Sequence, residues 1–294
     1  MNFTKIVCTG NFRKEKFFSI IDHISDFFDK NSLLDKKIEL KVSNEFEQHG
    51  IKAHLNKKIK IETFDKCIKD CDLIMSIGGD GTILSTVRKL SENQIPILGI
   101  HIGNLGFLAQ STEKNLIKAL ECIKNDDFKI QEKLLLKAKS NNHYYYAFND
   151  IVVDHGNSGR VLKTKVYNDK THINNYEGDG LIISTPTGST GYSLSSGGPI
   201  IHSDLDVITI TPISSHSLSA RPIILSSNSN IRVDFSENFI DASLTIDGQV
   251  RINLEKNDNI QISKSKFCAR LVVLPYYNYF NTLKEKLHWS GNSR

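Results

Sequence analysis

No apolar run in this 294-residue chain approaches the ~20 residues that a membrane-spanning helix requires. Residues Met1 to Gly10 hold only a short apolar core, Ile6, Val7 and Cys8. That is less than a signal peptide's apolar region, and no small-residue cleavage site follows, so the segment reads as a first strand. The cysteines are five, an odd number, and none forms a C-x-x-C pair. Cys67 and Cys71 can share a helix face, but no nearby Cys or His completes a metal set. Reduced core thiols in a cytoplasmic protein are the expectation. Concentrated charge of one sign is also missing. The net charge is +4, and Lys is scattered, so neither a nucleic-acid nor a membrane partner is implied. A mildly basic surface still attracts phosphorylated small molecules. Four sequence signatures are absent as well: G-x-x-x-x-G-K-[ST], G-x-G-x-x-G, the G-x-S-x-G elbow, and any zinc-ligand spacing.

Hydrophobic residues at 39% and charged residues at 24% suit a globular protein, and the length allows two ordinary domains. Residues 1–125 alternate strand-like and helix-like segments. Phe17, Phe18, Ile21, Ile24, Phe27 and Phe28 recur at helical spacing within Lys14–Phe28. Phe3–Cys8, Ile38–Val42, Asp72–Ile77 and Ile97–Ile100 read as strands, and Thr82–Ser91 and Glu113–Lys124 as helices. Such alternation predicts an α/β domain with a mostly parallel sheet, in which ligands bind at the carboxyl ends of strands. Residues 126–275 predict a β-rich domain of short segments separated by turns, beginning with Lys129–Ala138 and Tyr144–Val153. Residues 276–294 carry Phe280, Leu283 and Leu287 at helical spacing and are expected to pack back on the first domain.

Gly78-Gly79-Asp80-Gly81-Thr82 joins a strand-like run to a helix-like one. Glycines let a backbone approach a ligand closely, and a lone Asp among them can meet a hydroxyl or a metal. By spacing alone the segment reads equally as a tight turn capped by Asp or Thr. Phosphates bound here would rely on backbone N–H groups, a helix N-terminus and a metal. Asn149-Asp150 can bind paired ribose hydroxyls, although an Asx turn is the plainer reading. Glu177-Gly178-Asp179-Gly180 and Asp247-Gly248-Gln249 read as hairpin turns. The stretch Thr185–Pro199 is dense in Gly and hydroxyl residues, yet apolar strands flank it, which argues against a linker. Its hydroxyls and N–H groups suit a nucleotide, with Tyr192 available for ring contact.

In order along the chain, these segments resemble the NAD kinase family, which makes NADP from NAD. The resemblance runs from about Asp72 to Trp289. It includes Gly103-Asn104-Leu105-Gly106-Phe107-Leu108, His216 to Pro222 and Tyr279-Phe280-Asn281-Thr282-Leu283. The glycine turn alone is shared with lipid kinases and phosphofructokinases; the Thr-Pro-Thr-Gly-Ser-Thr-Gly-Tyr stretch is far more specific. The implied fold is NAD kinase/diacylglycerol kinase-like, an α/β N-terminal domain plus a β-rich C-terminal domain with the active site between them. The resemblance implies Asp80 as the catalytic residue, acting on the ribose 2′-hydroxyl with Gly81 beside it. Gly78, Gly79, Gly81 and Thr82 are assigned to the phosphate donor. It implies contacts to NAD from Asn149, Asp150, Arg160, Glu177, Asp179, Thr190, Gly191, Tyr192, Ser193, Leu194, Ser195 and Gln249. Substrates NAD and ATP, a divalent metal such as Mg²⁺, and a homo-oligomer, dimer or tetramer, follow from the same resemblance. Three positions depart from the family pattern: His101, Glu177 and Ser215. Glu177 reverses a charge near the nucleotide and bears on the choice between NAD and NADH. Competing readings are a lipid or sugar kinase, which leaves Thr185–Pro199 unexplained, and a non-catalytic NAD(P) sensor, for which Asp80 would be unnecessary.

Overall fold

The computed structural model describes residues 3–31, 38–43, 59–103, 106–235, 241–255 and 258–289. Asn104 and Leu105 lie outside them. The chain forms two compact units, one of residues 1–132 with those from Arg270 onward, the other of Lys133–Ala269.

The first unit begins with β1 (Lys5–Gly10), α1 (Lys16–Lys30), β2 (Glu39–Ser43), β3 (Lys60–Glu62), α2 (Phe64–Ile68), β4 (Leu73–Gly78), α3 (Asp80–Leu90), β5 (Ile97–His101), β6 (Ser111–Thr112), α4 (Leu116–Lys124) and β7 (Lys129–Lys133). In α1 five of the six residues at helical spacing, Phe17, Ile21, Ile24, Phe27 and Phe28, are buried together with Ile20, while Phe18 is only partly buried. β4 is buried along its whole length, as expected of a parallel strand covered on both faces.

The second unit holds β8 (Leu136–Ser140), β9 (His143–Ala147), β10 (Asp150–Asp154), β11 (Leu162–Asn168), β12 (Thr171–Gly178), β13 (Gly180–Ser184), the one-turn α5 (Tyr192–Ser195), β14 (Val207–Ile213), β15 (Ile223–Ser226), β16 (Ile231–Phe235), β17 (Ala242–Ile246), β18 (Val250–Leu254) and β19 (Ile260–Lys264). They build two six-stranded sheets, β15-β14-β13-β10-β17-β18 and β12-β11-β16-β19-β8-β9. Their facing residues, among them Leu136, Ile151, Val153, Ile183, Ile210, Val233 and Ile262, form one buried core. The chain then returns to the first unit as β20 (Ala269–Val273) and α6 (Tyr279–Leu287). The first sheet has the order β3-β2-β1-β4-β5-β20-β7, and β1, β2, β3, β4, β5 and β20 pair in parallel.

Several segments differ from the sequence reading. Lys129–Ala138 is not one strand: Lys129–Lys133 joins the first sheet and Leu136–Ser140 the second unit. Tyr144–Val153 is likewise two strands, broken at Phe148 and Asn149, and each half enters a different sheet. Glu177–Gly180 is a corner between sheets rather than a hairpin. β12 lies in one sheet and β13 in the other. A Cβ on Gly178 would stand 2.6 Å from the carbonyl oxygen of Ile213, so the corner requires a residue without a side chain.

Candidate active site

In the first unit, β4 runs out at Gly78 and α3 starts at Asp80, with Gly79 as its N-cap. The Gly78 carbonyl accepts from Ile102 N–H at 2.9 Å, and the Thr82 hydroxyl accepts from Gly79 N–H at 3.3 Å. A Cβ on Gly78 would collide with the Thr82 hydroxyl. Gly78 and Thr82 therefore shape the turn, while Asp80 and Gly81 begin the helix. Both Asp80 carboxylate oxygens are held. Phe107 N–H donates to one at 2.8 Å and Leu108 N–H to the other at 3.2 Å. Any side chain on Gly106 would run into that carboxylate. A carboxylate has about four acceptor sites, so two remain for a substrate. His101, at the end of β5, lies beside the turn: a Cβ on Gly79 would be 3.5 Å from its Nε2. Burial pushes the His101 imidazole pKa down, outweighing the opposing pull of Asp80.

In the second unit, Asn149-Asp150, Thr185–Ser195 and the Asp247 hairpin converge. β10 and β13 are paired so that Asp150 faces Ser184, the residue before Thr185. Thr185 donates its hydroxyl to the Phe148 carbonyl at 2.6 Å and its N–H to the Asn149 carbonyl at 2.9 Å. A Cβ on Gly188 would strike the Asn149 backbone, and one on Gly191 would stand 3.3 Å from the Asn149 amide nitrogen. Asp247 and Gly248 have φ of 48° and 65°, the geometry an Asp-Gly hairpin predicts. The Asp247 carboxylate accepts from Phe148 N–H at 3.0 Å and Asn149 N–H at 2.7 Å. Gln249 follows in the same hairpin. Asp150 is 4% exposed. Burial, then the nearby Asp247 charge, push its pKa up to about 7 against the Tyr192 N–H bond. Near neutral pH this carboxyl exchanges between its protonated and ionised forms.

The residues of Thr185–Ser195 divide by direction. Ser189 bonds the Pro186 and Ile201 backbone, and Ser193 pairs with the Thr211 hydroxyl at 3.0 Å; both are fully buried. Tyr192 is 48% exposed and opens α5, with its ring available to a base. Thr190 and Leu194 are half-buried and Ser195 exposed.

Arg160, Glu177 and Asp179 are not brought to this cluster. Gly180 pairs with Asp154, at the opposite end of β13 from the Ser184–Asp150 pair. At about 3.4 Å per residue, the four steps of β13 from Gly180 to Ser184 separate the two ends by ~14 Å. Glu177 pairs with Lys163 at 3.0 Å, and Arg160 lies in the exposed lead-in to β11, whose Leu162 faces Gly178. Asp247 and Phe107 went unassigned in the sequence reading. The Asp-Gly signal marked the first only as a turn residue, and a backbone N–H leaves no sequence signal at all.

The molecule resembles two solved structures. A yeast NADH kinase complexed with NADH matches with a TM-score of 0.85 at 24% identity, covering 100% of this chain and 90% of that one. An NAD kinase from Archaeoglobus fulgidus in complex with ATP matches with a TM-score of 0.73 at 21% identity, covering 97% and 99%. These likenesses define the fold: a mostly parallel α/β unit followed by an antiparallel β-rich one. Residues 8–128 match the ATP-NAD kinase N-terminal domain, and residues 148–274 match the ATP-NAD kinase C-terminal domain. The NAD kinase of Clostridium botulinum (strain 657 / Type Ba4) is 41% identical over 222 residues, 74% of this chain and 79% of that protein. The NAD kinase of Geobacter sulfurreducens is 40% identical over 223 residues, 74% and 78%. The chain belongs to the NAD kinase family.

Proposed function

We propose that the chain transfers the terminal phosphoryl group of ATP to the 2′-hydroxyl of the adenosine ribose of NAD, giving NADP, with Asp80 as the base. The observation that carries this reading is the Asp80 carboxylate, fixed by Phe107 and Leu108 N–H groups with acceptor sites left over. A ribose hydroxyl is a poor nucleophile at neutral pH, and a positioned carboxylate accepts its proton as the new oxygen–phosphorus bond forms. The proton passes from the 2′-oxygen to Asp80, the 2′-oxygen bonds to phosphorus, and the bond to the β-phosphate oxygen breaks, releasing ADP. Gly79 and Gly81 frame the start of α3, where donor phosphates meet the positive end of a helix.

Among the described residues no group of three or more His, Cys, Asp or Glu gathers to hold a metal. Mg²⁺ is commonly held by one or two carboxylates with substrate phosphates and waters, so Asp80 fits as a single protein ligand for a metal arriving with the triphosphate. Held there, such an ion would supply neutralisation of charge on the transferring phosphates.

Asn149, Asp150, Thr190, Gly191, Tyr192, Leu194, Ser195 and Gln249 form the NAD pocket, with Ser193 contributing through its backbone, since its hydroxyl is taken by Thr211. Arg160, Glu177 and Asp179, at the far end of β13, contact the nucleotide of a second copy. A homo-oligomer in which one copy's Asp179 end meets its neighbour's pocket satisfies both sets of contacts. The enzyme acts in the cytoplasm; no described helix is long and apolar enough to cross a membrane. The test is product formation by the pure protein from NAD or NADH with ATP or polyphosphate and Mg²⁺, read by an NADP-specific dehydrogenase. NADP formed with ATP supports the reading. ATP hydrolysis without NADP, or NAD binding without turnover, rejects it.

A further inference from the structure

Asp80 owes its orientation to a main-chain segment, and that segment has an anchor of its own. The Tyr277 hydroxyl donates to the Phe107 carbonyl at 3.1 Å. That carbonyl belongs to the same peptide unit as Leu108 N–H, the group 3.2 Å from Asp80. A peptide unit is planar and stiff, so fixing its carbonyl end fixes the direction of its N–H. A donor on the carbonyl also polarises the N–H, since linked hydrogen bonds strengthen one another.

We propose that Tyr277 is a positioning residue for the phosphoryl transfer, holding the Phe107–Leu108 peptide so that its N–H fixes the Asp80 carboxylate. The inference rests on the reading of Asp80 as the base. Tyr277 follows β20, 170 residues from Phe107 in sequence, in the same compact unit. Its phenol keeps its proton: burial pushes the pKa up, outweighing the opposing hydrogen bond with Thr282, and the Asp80 charge adds to the rise. The next residues keep it in place. Tyr277 N–H donates to the Leu274 carbonyl at 3.0 Å, and Leu274 N–H in turn reaches the Gln110 side chain at 3.3 Å. Gln110 N–H bonds the Gly99 carbonyl in β5 at 3.0 Å. The Gly106–Gln110 segment is thus tied at one end to the central sheet and at its middle to the Tyr277 hydroxyl.

The test is Tyr277→Phe, which keeps the ring and removes the hydroxyl with its bonds to the Phe107 carbonyl and the Thr282 side chain. One neutral hydrogen bond corresponds to a drop in kcat of about three- to tenfold. KM for NAD and for ATP should stay within about twofold, because the hydroxyl is taken up by the Phe107 carbonyl and acts through Asp80. The same substitution in an Asp80→Asn background should lower the residual rate less than twofold, since residues acting as one unit are not additive. An unchanged kcat, a rise in KM with kcat intact, or equal losses in both backgrounds overturns the inference. If the unsubstituted protein forms no NADP, it is the assignment of Asp80 that fails. Should Tyr277→Phe unfold, Gln110→Met replaces it: it removes the oxygen that accepts from Leu274 N–H on the same tie, it should show the same kcat-only loss, and a loss confined to stability counts against the proposal.

Discussion

At the scale of single residues, two aspartates are set to opposite tasks by their surroundings. Asp80 is half-buried and meets two backbone N–H groups, while Asp150 is buried beside another carboxylate. Asn at position 80 has the right shape but only one acceptor oxygen. Its NH₂ would face a backbone N–H of Phe107 or Leu108, so the substitution removes the base and unseats its support together. Loss of a positioned general base costs on the order of 10² to 10⁴ in rate. Asp150→Asn probes the other case. The native pKa of about 7 lies above the ordinary aspartate value of 3.8, so the folded state holds its proton more tightly than the unfolded one. The stability this proton confers is present below about pH 4 and is lost as pH rises through about 7. The Asn variant should therefore melt like the parent near pH 4 and higher than the parent at pH 8, by a few kcal/mol in order of magnitude. Melting curves across that range check it. NADP formation should fall in the same variant, a trade of activity for stability common at binding sites.

At the scale of elements, the proposed NAD pocket depends on a hairpin that belongs to a different stretch of chain. The Asp247 carboxylate takes the N–H groups of the break between β9 and β10, nearly 100 residues away. Asp247→Ala leaves buried donors unpaired and should destabilise by about 2–4 kcal/mol, seen as a lower denaturant midpoint with unchanged slope. Gly188→Ala drives a methyl group into the Asn149 backbone. It should raise KM for NAD at least tenfold, with little change in KM for ATP, measured by initial rates. Periodicity made α1 readable from the sequence, because Phe17, Ile21, Ile24 and Phe28 lie on one face that the sheet covers. The glycine turn was readable for a similar reason: its residues are contiguous, and Gly is needed where Thr82 folds back. β12 was not readable. It is an edge strand with only Tyr176 and Gly178 buried, so its sequence alternates weakly. Lys129–Ala138 hid its break because no Gly or Pro separates the two strands. The Asp247 and Tyr277 anchors were unreadable on physical grounds: both act on main-chain groups far away in sequence, and any residue supplies those.

At the scale of the whole molecule, the resemblance assigned to one nucleotide two groups of residues that a single copy keeps at opposite ends of β13. Mixing tests whether copies share sites. Asp80→Asn and Asp179→Ala proteins, each deficient alone, should recover about a quarter of the parental rate when unfolded together and reassembled as a dimer. No recovery would assign Asp179 to its own copy. Chelating the divalent metal should abolish turnover while leaving NAD bound, as calorimetry with NAD before and after chelation would report. The most direct measurement is NADP formation from NAD, ATP and Mg²⁺ by the parent and by Asp80→Asn, alongside the NAD dissociation constant of each. Steady NADP production by the parent, a loss of at least a hundredfold in the variant, and NAD affinities within a few-fold of each other are the predicted result. Near-normal NADP formation by Asp80→Asn would contradict the account.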